Sequence, residues 1–101
     1  MAQNSKIGMK FFAESLPYFP EAPEFADQGM CPGGLGRNRD FYSKFVSYKK
    51  QPPQYIIDLL YDPQTSGGLL ISLAEPDAAR LAGTYQIGRV VERGEKPIRL
   101  I

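Results

Sequence analysis

Asp62-Pro63-Gln64-Thr65-Ser66-Gly67-Gly68 gathers a carboxylate, two hydroxyls and two adjacent glycines into one short segment. Adjacent glycines let a backbone take positive φ and come close to another surface. The hydroxyls of Thr65 and Ser66 stand beside backbone N–H groups, an arrangement that can hold an anion. A plain helix-to-strand turn uses the same residue types, so order alone leaves both readings open. Nucleophilic chemistry is not expected from either hydroxyl, because no general base accompanies them. The chain contains no histidine at all, which removes the commonest base and the commonest metal ligand.

Gly33-Gly34-Leu35-Gly36-Arg37-Asn38 is a second candidate. It lacks the third glycine and the leading apolar strand of a dinucleotide fingerprint. Arg37 and Asn38 could face a phosphate, for which a guanidinium is well suited, or they could belong to a solvated surface turn. Cys31, the single cysteine, matches no nucleophile motif and reads as a small buried or half-buried thiol. Asp58 and Asp62 are spaced to share a helix face; a solvated face is expected there rather than a metal pair. The aromatic series from Phe11 to Tyr48 reads as core and partner-facing surface, because a base-stacking platform needs a basic groove.

The elements that must position these residues follow from periodicity and punctuation. Residues 7–12 read as a strand with Lys10 near its middle. Residues 24–28 read as a short helix ended by Gly29, residues 31–36 as a Gly-Pro loop, and Asn38 or Asp40 as the cap of a helical turn reaching Lys44. A short strand over 45–48 precedes a helix over 53–61, with proline in its first turn and Ile56, Ile57, Leu59 and Leu60 on a broad apolar face. Leu69, Leu70 and Ile71 form a continuous apolar run, which predicts a strand over 68–73 buried on both faces. A helix starting at Glu75-Pro76-Asp77 and ending at Gly83 leads to strands over 85–91 and 97–101, joined by a turn at Arg93-Gly94-Glu95.

The chain has 101 residues, with 43% hydrophobic residues and a net charge of +1. That is the scale of one small domain with a modest core. The near-neutral charge gives no electrostatic case for nucleic acid or an anionic membrane. No apolar run approaches a membrane span, and no secretory leader is recognisable at the N-terminus. One cysteine cannot make an intrachain disulfide, so a cytoplasmic location is expected.

Several of these segments together resemble one family. Asp62-Pro63-Gln64-Thr65-Ser66-Gly67-Gly68-Leu69-Leu70 is similar to a signature near the C-terminus of selenophosphate synthetases (selenide, water dikinases), within the aminoimidazole ribonucleotide synthetase superfamily. Residues 16–22, Met30-Cys31-Pro32-Gly33-Gly34, residues 37–42 and Ile87-Gly88-Arg89-Val90-Val91 match the same family in the same order. The resemblance implies an α/β (α+β) fold: a mixed, largely antiparallel sheet with helices on one face. It places the 101 residues as a single domain, the latter part of the family's C-terminal domain. The N-terminal ATP-binding domain, with its essential Cys or selenocysteine and its Asp ligands, has no counterpart here. For the intact enzyme the resemblance implies ATP and Mg²⁺, and conversion of ATP, selenide and water to selenophosphate, AMP and phosphate.

For this chain alone the expectations are narrower. No catalytic residue, metal ligand or cofactor is expected within it, and the isolated chain is expected to be inactive. A loop close to substrate or phosphate is expected at Thr65, Ser66, Gly67 and Gly68, with Arg37 and Asn38. The expected partners are a second copy or the N-terminal ATP-binding domain, and the alternative is a non-enzymatic remnant or partner-binding module. Two departures from the family pattern are Leu35, where the family has Thr, and a shortened segment over 78–85.

Overall fold

The computed structural model describes residues 1–64 and 66–101; of the sequence candidates, Thr65 lies outside them. Four strands form one sheet: β1 (Gly8–Phe11), β2 (Val46–Tyr48), β3 (Gly88–Val91) and β4 (Ile98–Leu100). Their order is β2-β4-β1-β3. The sheet is mixed, as expected: β1 runs antiparallel to β3, while β4 runs parallel to both β1 and β2. Side chains alternate across a strand, so the register assigns two faces. Met9, Phe11, Val46, Tyr48, Ile98 and Leu100 share one. Lys10, Ser47, Arg89 and Arg99 share the other.

The helices are α1 (Ala22–Asp27), α2 (Gly34–Tyr42), α3 (Gln54–Leu60) and α4 (Glu75–Ala78). α2 and α3 meet the apolar face through Val46 of β2, whereas Glu75 at the start of α4 pairs with Arg89 of the other face. Helices this short are marginal in isolation and hold their shape by packing. Leu35 of α2 and Ile57 of α3 form a buried cluster with Tyr61, closed at its margin by Cys31 and by Val46 of β2. The Tyr48 and Tyr61 hydroxyls meet at 3.2 Å, tying the sheet to the end of α3. Cys31 is thus the half-buried thiol its neighbours suggested.

β1 and β3 approach so closely that neither can carry a side chain at two points. A Cβ on Gly8 would collide with the Glu92 carbonyl oxygen, and one on Gly88 with the Lys10 carbonyl oxygen. Glycine at both positions is therefore a steric requirement of the ladder.

Besides the helix expected from Glu75 to Gly83, which stops at Ala78, two sequence expectations need correction. The loop expected over 31–36 ends at Gly33: α2 begins at Gly34 and contains Arg37 and Asn38, so Asn38 is an interior residue rather than a cap. Burial of Leu35 against Ile57 and Tyr61 outweighs the weak helix propensity of three nearby glycines. The second correction is larger. Residues 68–73 form neither strand nor helix and belong to no ladder. Leu69 is 91% exposed, and Leu70, Ile71 and Leu73 are each about half exposed. The strand buried on both faces that the apolar run predicted is therefore not formed. The radius of gyration is 14.2 Å, against about 13 Å for a compact domain of such length.

Candidate functional site

The two motifs singled out from the sequence lie against each other. A Cβ placed on Gly34 would stand 3.0 Å from Pro63 Cγ and 3.3 Å from Pro63 Cβ. The first turn of α2 therefore rests directly on the Asp62-Pro63 corner that follows α3. One turn further on, Asn38 donates its carboxamide N–H to the Tyr61 carbonyl at 3.0 Å. Tyr61 is the C-cap of α3, where carbonyls lack helical partners. Asn38 supplies one of those partners and so fixes where the 62–68 segment departs.

This placement separates the candidates. Asn38 is spent on the backbone of Tyr61, which makes it a positioning residue for the loop. Arg37 is exposed and has no ion-pair partner among the described residues; one of its Nη atoms lies 3.9 Å from the position of a Gly34 Cβ. Its guanidinium is thus near the loop corner and free to meet an anion. Ser66, Gly67 and Gly68 are exposed.

The glycine pair does not work as the sequence suggested. Positive φ occurs at Gly29 and Gly83, not at Gly67 or Gly68. What constrains Gly67 is the Gln64 side chain, whose Oε1 lies 3.0 Å from the position of an added Cβ; Gly68 faces open space. The loop turns instead at Asp62, whose carbonyl accepts the Gln64 N–H at 2.9 Å.

The carboxylates nearby are already engaged or dispersed. Asp58 accepts from Gln54 Nε2 at 2.8 Å and lies 3.7 Å from Arg39. Among the described residues, no group of three or more Asp, Glu or Cys side chains is placed to hold a metal ion. Burial, reinforced by the hydrogen bond with Tyr48, holds the Tyr61 phenol well above its ordinary pKa, so it stays protonated at neutral pH and serves as a structural donor or acceptor.

The aromatic series splits between core and surface. Phe41 stacks edge-on with Tyr42 and with Phe45, and the Lys44 ammonium sits 4.8 Å from the Phe41 ring centre. Phe19, Phe25, Phe41 and Tyr42 are exposed. The contacts of Gly34 with Pro63 and of Asn38 with Tyr61 join α2 to the end of α3, and no local sequence pattern carries them.

No family model matches the chain. Individual relatives do. The chain is 41% identical over 101 residues to a selenide, water dikinase of Pelobacter propionicus, covering 91% of this chain and 29% of that protein. It is 42% identical over 106 residues to one of Citrifermentans bemidjiense, covering 97% of the chain and 30% of the relative. To one of Caldanaerobacter subterraneus it is 38% identical over 107 residues, covering 97% and 31%. The chain thus spans less than a third of the length of the curated relatives it matches.

Proposed function

Taking as premise that the chain is related along nearly its whole length to selenide, water dikinases, we propose that it is the latter part of the C-terminal domain of such an enzyme. In this reading it supplies one wall of a phosphoryl-transfer site whose reactive groups lie in an N-terminal ATP-binding domain. The intact enzyme makes selenophosphate, AMP and phosphate from ATP, selenide and water, with Mg²⁺. Phosphoryl transfer depends mostly on positioning and charge neutralisation, and a wall that carries no nucleophile can still matter.

The observation that carries this reading is the seating of Gly34 on Pro63, with Asn38 bonded to Tyr61 beside it. Two family motifs distant in sequence form one unit, and it presents Arg37, Ser66 and Gly67 outward. Within that unit Asn38 sets the loop's departure point, Pro63 fixes its direction and Arg37 offers a charge. In this reading the reactive groups lie elsewhere in the enzyme, and the isolated chain is expected to be inactive.

A chimaera tests the reading. The matching 101-residue region of the Pelobacter propionicus relative is replaced by this chain, and selenide-dependent AMP formation is measured. Retained activity supports the proposal. A folded chimaera that binds ATP but forms no AMP would sink it. The competing reading, a partner-binding module without enzymatic context, is favoured by the exposed apolar run at 69–73; in that case the chimaera is inactive while the chain still associates.

A further inference from the structure

The face of the sheet opposite α2 and α3 is cationic by construction. Register places Ser47 beside Arg99, Arg99 beside Lys10, and Lys10 beside Arg89. Three basic side chains thus stand in line across β4, β1 and β3. Like charges directly opposite one another destabilise a sheet, so this row costs stability that a neutral row would not. Arg89 is neutralised by Glu75, with a shortest contact of 2.8 Å. Lys10 and Arg99 have no ion-pair partner among the described residues.

Two adjoining clefts open on this row, of about 450 Å³ and 310 Å³, and both are lined by Lys10, Lys96 and Arg99. Ser47, Tyr48, Lys49 and Ile101 also line the larger one, where Glu95 is the only acidic side chain; Glu92 is the only acidic side chain lining the smaller. The Lys96 ammonium is anchored at 3.0 Å on the Val46 carbonyl, which leaves two of its three N–H donors free. Ser47 donates to the Ile98 carbonyl at 3.2 Å, so its oxygen remains an acceptor. The larger cleft therefore gathers four basic side chains and one acidic one, with Lys10 and Arg99 held on strands and Lys49 and Lys96 just outside them.

We propose that this face binds an oligophosphate chain, with Lys10 and Arg99 as the central contacts and Lys96 and Lys49 at the ends. A guanidinium flanked by ammonium groups suits several closely spaced phosphoryl oxygens. The concave shape and the modest volume favour a small polyanion over an acidic protein segment. The inference rests on the sheet register and on the clefts that open on it, and stands whether or not the family reading holds.

Inorganic tripolyphosphate is the probe, titrated into the full chain at low and moderate salt and followed by calorimetry and backbone amide shifts. Binding is expected to be saturable at one site, with shifts concentrated at residues 9–11, 46–49 and 94–100. Arg99→Gln and Lys10→Met are each expected to weaken it at least tenfold, whereas Arg80→Gln, outside both clefts, leaves it within twofold. Lys10→Met also relieves the row of like charges, so it should unfold no more easily than the parent; lost binding with retained stability is a signature that misfolding cannot produce. Equal losses in Arg80→Gln would overturn the site as diffuse attraction. Tighter binding of an oligoglutamate peptide than of tripolyphosphate would overturn the ligand class in favour of an acidic protein partner.

Discussion

Asn38 donates its side-chain N–H to the carbonyl of Tyr61 across 3.0 Å, joining the middle of α2 to the last turn of α3. Both ends are partly buried, so removing the donor leaves a carbonyl without its partner. Such a loss costs about 1–2 kcal/mol. Asn38→Ala is therefore expected to lower the urea midpoint by that equivalent, while the neighbouring exposed Arg37→Gln stays within about 0.5 kcal/mol. Equal effects of the two changes would mean that the bond does not tie the helices.

Glycines of α2 separate a contact requirement from a conformational one. An added Cβ meets nothing within 4 Å at Gly36 but stands 3.0 Å from the Pro63 ring at Gly34. Gly36→Ala should stabilise the chain by about 0.5–1 kcal/mol through helix propensity. Gly34→Ala should forfeit that gain or reverse it, because the proline ring is held by its own backbone. Gly67→Ala should be close to neutral: its neighbour is the movable tip of Gln64, and no positive φ is at stake. Denaturation midpoints of the three variants rank them directly, and a stabilised Gly34→Ala would show that the loops are not in firm contact.

Tyr61 gives the fold an alkaline limit. Burial and the Tyr48 hydrogen bond raise its pKa above the ordinary value of 10.0. A raised phenol pKa contributes stability in full below about pH 10, and that contribution fades as pH climbs from there toward the folded-state value. Unfolding free energy should thus be insensitive to this group near neutrality and decline above pH 10. The slope from one group is at most about 1.4 kcal/mol per pH unit. Tyr61→Phe removes the titrating group, and its stability curve should be flatter above pH 10 than the parent's. Parallel curves would assign the decline to other residues.

Local punctuation made much of this fold legible. Proline at the start of α3, Gly29 and Gly83 at positive φ, and the alternating strands β1, β3 and β4 all carry their signal within a few residues. α2 was less visible because Leu35 makes it a helix through contacts with Ile57 and Tyr61, which lie more than 20 residues away. The 68–73 run was misjudged for a complementary reason. Leu69-Leu70-Ile71 states that the segment prefers burial, but composition cannot state which surface will provide it. At the site, residue types pointed to both loops, yet their contact through Gly34 and Pro63 depends on packing between helices. The row of Lys10, Arg89 and Arg99 was hidden likewise, because register between distant strands creates it.

Association is the remaining prediction, and the exposed run supplies its mechanism. Residues 68–73 are exposed, mostly apolar and outside the sheet, while β2 and β3 are the sheet's two edges. Unpaired edges and free apolar segments recruit one another unless charge or cover prevents it. Contiguous apolar surface beyond a few hundred Å² marks an interface in most soluble proteins. The chain is expected to form a dimer or higher oligomer, with 68–73 of one copy added to an edge strand of another. Light scattering across a wide concentration range should show a mass that rises with concentration. Ile71→Lys places a charge in the middle of the run and should shift the population toward monomer without lowering the stability of the sheet, since Ile71 is about half exposed already. A parent chain that stays monomeric at high concentration and unfolds cooperatively would show that the apolar run needs no partner, and the strand-addition mechanism would fall with it.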